Sequence, residues 1–298
     1  MDSRILVTGA TGFLGKRLVT KLRGMNLDVV AADLQSTDEI VSLDIRDKES
    51  VNAAFESSMP EVVVHLAAIN DNNPNFDRPY DLYFNNIQGT LNICEAATRF
   101  SVRKIVFPSS TSIYGNVQDD DLPISEMTRS QPLTPYATSK VCEEMLVREY
   151  ARRANTKVIV FRFSIIYGPN QKHANVIEQF MRKAISNDPI DLLGDGSHTR
   201  EFLYVDDAID ALVIGAKAPS LPYDTFLIST GKPIKLKQLA EKISMMINHV
   251  PIQDLQNKGP IFSQYYDVSR AMTNLNWKPR VPLDDGLSLM LEWLRGPN

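Results

Sequence analysis

The chain has 298 residues, of which 43% are hydrophobic and 23% charged, with a formal net charge of −4. That is the composition of a globular protein large enough to bury a sizeable core. With no long run of one sign, it offers no footing for a nucleic-acid backbone or an anionic membrane.

In chain order, short β-branched runs alternate with helical patterns. Residues 4–8, 28–32, 61–66, 103–107 and 157–162 read as buried strands, near-continuously apolar as strands covered on both faces are. Helical stretches lie between them at 12–24, 47–57, 81–99 and 135–153. This alternation predicts an α/β fold, a doubly wound parallel sheet. After about residue 168 the rhythm changes. Residues 174–187 read as a helix, "PIDLLGDGSHTREFLYVDD" as a hairpin bent at Gly-Asp-Gly, 205–217 as a helix and 224–230 as a further strand. Helices follow at 235–248 and 283–294. The predicted organisation is a sheet domain over 1–168 with a return at 203–230, and a smaller substrate-side lobe from 169–202 and 231–298.

No apolar run nears the ~18 residues needed to span a bilayer. The first residues lead into "RILVTGA" without signal-peptide architecture, and Cys94 and Cys142 lack CxxC spacing. Together these predict a cytoplasmic protein with reduced thiols. His65, His173, His198 and His249 are scattered, so no metal site is expected.

"TGATGFLG" sets Gly9, Gly12 and Gly15 between the first strand and the first helix. Glycines there permit a tight turn, close approach of a diphosphate to the backbone, and close packing of helix on sheet. Position after a strand and before a helix makes the triplet a dinucleotide motif rather than an ordinary turn. Asp33 ends the second strand, where a carboxylate accepts from ribose hydroxyls and repels a 2′-phosphate. With no arginine in "AADLQST", NAD is favoured over NADP. The alternative for Asp33 is a turn-capping carboxylate.

"LTPYATSK" places Tyr136 and Lys140 one helical turn apart on one face. A free tyrosine titrates near 10, too high for a base at neutral pH. A nearby ammonium, with the positive charge of an oxidised nicotinamide, favours the phenolate. "FPSSTSIYG" follows an apolar strand and brings hydroxyls to the carboxyl edge of the sheet, where such folds bind ligands.

With "LDIRD", "VVHLAA", "NNIQGTLNICEAA", "SSTSIYG", "YGPNQ", "GDGSHTREFLYVDDAIDA" and "DVSRAMTNLNWKP", these motifs make the chain resemble, nearly end to end, the extended short-chain dehydrogenase/reductases. The branch is the NAD-dependent epimerases and dehydratases of nucleotide sugars. The resemblance implies a Rossmann domain and a C-terminal substrate-binding lobe. It implies Ser110, Tyr136 and Lys140 as catalytic residues, with Thr111 a second hydroxyl candidate beside the substrate. It places Thr11, Phe13 and Leu14 with the glycines at the cofactor, Asp44 and the Ile45 backbone at the adenine, and Leu66, Ala67 and Ala68 along the groove. Asn86 is implied as structural, and helices 81–99 and 135–153 as a homodimer interface.

Relatives that dehydrate or decarboxylate carry acidic residues two or three positions before the tyrosine of the Tyr-Gly motif. Here those positions hold Thr111 and Ser112. The resemblance therefore favours 4-epimerisation through a transient 4-keto sugar. A net sugar dehydrogenase or keto-sugar reductase, and a non-catalytic NAD-binding scaffold, are the alternatives. Arg200 matches an arginine that binds the nucleotide diphosphate, the alternative being a surface salt bridge, and Asn175 an asparagine near the nucleotide. Two departures weaken that pocket: Ile165 replaces a usual asparagine, and Asn257, beside Lys258, replaces a second arginine. They leave a smaller sugar substrate open.

Overall fold

A computed structural model describes residues 3–73, 75–154, 156–171, 175–217, 223–255 and 262–296. Asn257, Lys258 and His173 lie outside these residues. The chain forms two compact units: Met1–Gly115 with Arg129–Phe163 and Ile209–Ile228, and Asn116–Thr128 with Ser164–Ala208 and Ser229–Asn298.

The first unit holds a seven-stranded sheet of β1 (Ile5–Thr8), β2 (Val29–Asp33), β3 (Ile40–Ser42), β4 (Val62–His65), β5 (Lys104–Ser110), β6 (Lys157–Phe163) and β11 (Tyr223–Ile228). Its order is β11-β6-β5-β4-β1-β2-β3, and every pairing is parallel. Every residue of β1 and β4 is buried, as an apolar run without alternation predicts. Leu6, Val63, Ile105 and Val158 pack in one core with Phe55, Ile93 and Val147 from the helices. Those helices are α1 (Phe13–Gly24), α2 (Lys48–Ser58), α3 (Pro79–Tyr83), α4 (Gly89–Arg99) and α5 (Pro135–Arg153). Strand order reverses between β1 and β4, where Thr8 lies opposite His65. A doubly wound sheet binds its ligand outside that switch point.

Local chemistry fixes the elements that matter for the site. Thr134 caps α5 by accepting from the Ala137 amide at 3.1 Å, with Pro135 at the first helical position. That start puts Tyr136 in the first turn and Lys140 in the next. The helix expected at 81–99 is one rod in three parts: α3, a π-helical stretch over Phe84–Gln88, and α4. Wide turns of this kind recur at functional sites.

The second unit contains β7 (Ile165–Tyr167) parallel to β10 (Phe202–Tyr204), β8 (Ile190–Leu192) parallel to β13 (Ile252–Asp254), and β9 (Thr199–Arg200) antiparallel to β12 (Ile234–Lys235). Its helices include α6 (Val176–Ile185), α8 (Leu236–Ile247), α9 (Ser269–Leu275) and α10 (Leu283–Arg295); α7 spans Val205–Lys217. The hairpin expected over 189–207 is absent: β8, β9 and β10 each pair elsewhere. The Gly-Asp-Gly bend exists, with Gly194 and Gly196 at φ +70° and +66°. It delivers the chain to β12 and the start of α8 instead, where the amides of Lys237 and Leu236 donate to the carbonyls of Gly196 and His198. Residues 116–128 belong to this unit, where the Ile124 amide donates to the Tyr265 carbonyl at 2.9 Å. No described helix is long and apolar enough to cross a membrane.

Candidate active site

The loop after β1 sits at the switch point. Gly9 has φ +68°, and a Cβ there would lie 2.7 Å from the Ala67 amide nitrogen, so two backbones meet where a side chain has no room. A Cβ on Gly15 would lie 2.1 Å from the Gly9 carbonyl oxygen. Gly12 differs: its Cβ would meet the Gly9 oxygen at 3.1 Å and nothing else within 4 Å, which leaves open the approach a diphosphate needs. Phe13 and Leu14 begin α1, whose first turn has no acidic residue and no side-chain cap, so its amides and dipole face an anion unopposed. Asp33 turns back over the loop, Oδ2 accepting from the Thr11 amide at 2.9 Å and its hydroxyl at 2.8 Å. This cradle fits a dinucleotide.

Leu66 and Ala67 run along the same edge, their amides donating to the Thr8 carbonyl and hydroxyl, and Ala68 follows exposed. Asp44 and Ile45 lie beyond β3. The Asp44 carboxylate is clasped by Arg46 at 2.7 Å, which holds it below the usual carboxylate range, and the Ile45 carbonyl accepts from Asn92 at 2.8 Å. An adenine at Asp44 would share that carboxylate with Arg46.

Ser110 ends β5, where its hydroxyl is near enough to the Tyr136 phenol to favour the ionised form. It also caps the following turn, accepting from the Ser112 amide at 3.1 Å. Thr111 beside it is buried. The Lys140 Nζ lies 5.9 Å from the centre of the Tyr136 ring and 4.8 Å from that of Phe107. Ser110, Tyr136 and Lys140 are thus brought together.

Beneath them runs a polar network that sequence reasoning missed. The Lys140 ammonium donates to Glu143 Oε2 at 3.0 Å, and the Thr90 hydroxyl donates to the same oxygen at 3.1 Å. Glu143 Oε1 accepts from Ser139 at 3.1 Å. Thr90 Oγ1 lies 3.2 Å from His65 Nε2, and His65 Nδ1 lies 2.8 Å from Thr8 Oγ1. Because Thr90 gives its proton to Glu143, His65 Nε2 is the donor to Thr90 and Nδ1 accepts from Thr8: a neutral imidazole satisfied at both nitrogens. Burial, then the Lys140 charge, pulls His65 down to about 3. Asn86 locks the loop after β4 to α5, its Oδ1 accepting from the Ile69 amide at 2.8 Å and its Nδ2 donating to Ser139 at 3.0 Å. The signal available in the sequence was Glu143 three residues after Lys140, on the same helical face.

Burial pushes the Tyr136 phenol up, Lys140 pulls it down, and Glu143 pushes it up again, leaving it above an ordinary tyrosine. The lysine acts in the expected direction, but burial outweighs it.

In the second unit, Arg200 occupies β9 and is half-buried. It donates to the carbonyls of Thr199, at 2.9 Å, and Phe262, with the Phe262 ring 4.8 Å beneath it. No ion pair to Arg200 exists among the described residues. Burial lowers its proton affinity. His198 Nδ1 and Thr199 Oγ1 are buried without a hydrogen-bond partner among the described residues. Asn175 caps α6, Oδ1 accepting from the Glu178 amide and Nδ2 donating to Ile166 and Gln171, so its polar atoms are already engaged. Ile165 opens β7 opposite Phe202.

Comparison with known proteins gives these arrangements a family. A Methanocaldococcus jannaschii protein to which UDP-glucose 4-epimerase activity is provisionally ascribed is 33% identical, over 99% of both chains. The crystal structure of Thermotoga maritima UDP-glucose 4-epimerase with UDP-glucose is similar at a TM-score of 0.89 and 29% identity, covering 98% of both chains. The Thermus thermophilus UDP-glucose 4-epimerase complex with NAD is similar at 0.87 and 26%, covering 98% of this chain and 99% of that one. The profile of the NAD dependent epimerase/dehydratase family matches residues 5–228. The chain belongs to that family, and it is an NAD-dependent enzyme of the sugar-nucleotide epimerase or related type.

Proposed function

We propose that this enzyme inverts C4 of a sugar nucleotide, with the first unit holding the cofactor and the second the substrate. The observation that carries the reading is the meeting of Ser110, Tyr136 and Lys140 at the sheet's carboxyl edge, beside a glycine cradle fitted to a dinucleotide. NAD, when bound, supplies a hydride acceptor and a positive charge.

The protein's own groups do the rest. Gly12 and the open first turn of α1 receive the diphosphate, and Asp33 accepts from the ribose hydroxyls. Ser110 bonds the sugar hydroxyl that is to lose its proton, and Tyr136 takes that proton as phenolate. Lys140 binds the cofactor's ribose and stabilises the phenolate. Were the hydride to return from the bound cofactor to the opposite face of the C4 carbonyl, proton return from Tyr136 to the C4 oxygen would complete an inversion without net redox change. Thr111 and Ser112 do not ionise, which argues against elimination or decarboxylation at this site. Arg200, a cation without an anionic partner among the described residues, suits the substrate's diphosphate by bidentate geometry. Asn175 is assigned a nucleotide contact more weakly, since its capping bonds compete.

We also propose a homodimer through α3, α4 and α5. Tyr80, 76% exposed, stacks on Phe84 with the rings 3° from parallel, and Met145 on α5 is 68% exposed. Sedimentation of a dimer in the wild type, and of a monomer when Tyr80 and Met145 become glutamate, is the expected result.

Incubation with UDP-, dTDP- and GDP-sugars, without added cofactor, is expected to interconvert one pair of epimers. Free NADH accumulating over many turnovers would select the net dehydrogenase instead. Failure of every sugar nucleotide to react would exclude the epimerase.

A further inference from the structure

Lys140 does not stand alone behind Tyr136. Its side chain is 5% exposed and that of Glu143 is 1% exposed, with Nζ and Oε2 3.0 Å apart. The carboxylate is itself held, by Thr90 on one oxygen and Ser139 on the other. A buried ammonium loses hydration that is costly to replace, and without a partner it sheds its proton. A lysine that must carry charge inside the sheet's edge therefore needs a fixed counter-ion. Neighbouring elements offer little else. His65 on β4 is neutral and β5 presents Phe107 and Ser110, while Thr90 and Cys94 on α4 carry no positive or negative charge at neutral pH. On α5 itself the adjacent carboxylate, Glu144, is committed to Arg162 through contacts of 2.7 and 3.0 Å, and Glu149 pairs with Arg153.

We propose that Glu143 is a positioning residue of this site: a buried carboxylate that fixes the Lys140 Nζ and supplies the counter-charge that keeps it an ammonium. The inference rests on the reading of Tyr136 and Lys140 as the proton-transfer pair. Burial opposes the Lys140 charge, but Glu143, then Tyr136 and Glu144, override it and hold the lysine above its ordinary value. The same carboxylate partly offsets the lysine at Tyr136, so Glu143 trades some acidity of the phenol for a cation that stays charged and in place.

Glu143→Gln preserves shape and removes charge. Two measurements are made on the full chain with NAD. One is the NMR titration of ¹³Cε-labelled lysine, with the Lys140 signal identified by its loss in Lys140→Met. The other is the pH dependence of kcat/KM on the reacting sugar nucleotide. In the Gln variant the Lys140 midpoint and the alkaline limb of the rate profile should both fall by about 1 pH unit or more. An unmoved Lys140 midpoint overturns the proposal. A midpoint that falls while the rate profile stays upholds Glu143 as counter-ion and instead removes Lys140 from the chemistry, so the two readings fail separately. Should Glu143→Gln fold too poorly to titrate, adding Lys140→Met removes the stranded ammonium. The double variant is then expected to be more stable than the single one. A double variant no more stable than the single also overturns the proposal.

Discussion

The polar groups beneath Tyr136 and those around Arg200 are treated differently, although the Ser109 and Ser112 hydroxyls flanking Ser110 and Thr111 are also buried without a hydrogen-bond partner among the described residues. Beneath Tyr136 the network is closed: Lys140 meets Glu143, Glu143 meets Thr90 and Ser139, and His65 is satisfied at both nitrogens. Around Arg200 it is open, with a half-buried guanidinium resting on carbonyls and a ring, and His198 Nδ1 and Thr199 Oγ1 unpaired among the described residues. Buried polar groups left unsatisfied cost free energy, so a protein retains them where something else completes them. On the function proposed above, the closed network holds a geometry through a reaction. On the same reading, the open one gains partners on binding.

The sharpest break of that comparison is Tyr136→Phe. If the closed network serves proton transfer, turnover should drop by about 10²- to 10⁴-fold, while NAD binding, followed by calorimetry, is retained. Undiminished turnover would make the network structural.

Next comes acid. His65 binds its proton near 6.5 when unfolded and at about 3 when folded, so the unfolded chain holds more protons between those values and stability falls as pH falls. From 6.5 to about pH 4 the loss should be on the order of 3 kcal/mol. Denaturant unfolding across that range measures it, and His65→Asn should flatten the slope. An unchanged slope would locate the acid sensitivity elsewhere.

On the open side, Arg200→Met should raise KM for a sugar nucleotide by about 10- to 100-fold, with kcat less affected. A fall in kcat with KM unchanged would reverse the assignment. Smallest, Asp33→Asn should weaken NAD by about 10-fold and narrow the preference over NADP, as competition binding would show. A variant that binds both cofactors as the wild type does would leave Asp33 as a loop cap for Thr11.

The same contrast explains what was legible in the sequence. The glycine loop, most strands and Tyr136 with Lys140 are local patterns that recur in the structure, although β5 runs three residues past its expected end at 107 and β3 was not expected. Continuous burial of β1 and β4 followed from runs such as "ILVT" and "VVVH". The network was not legible, because Thr8, His65, Thr90 and Glu143 come from four elements and meet through sheet register and helix packing. The hairpin over 189–207 failed for a related reason: glycines mark the bend but not the partner, and β9 finds its partner in β12. Asn175 was expected near the nucleotide by position, and the cap its side chain makes on α6 was not legible. Charge sharing at Lys140 was missed for the same cause, since Glu143 three residues on reads as an ordinary helix-face acid until burial is known.

Isotopic labelling at C4 follows the reaction that all these groups are arranged to serve. Supplied with the reacting sugar nucleotide carrying deuterium at C4 and no added cofactor, the enzyme should return an epimer with the deuterium still at C4. Loss of the label from the sugar, or its appearance at C6, would contradict inversion at C4 and assign this site to a different reaction.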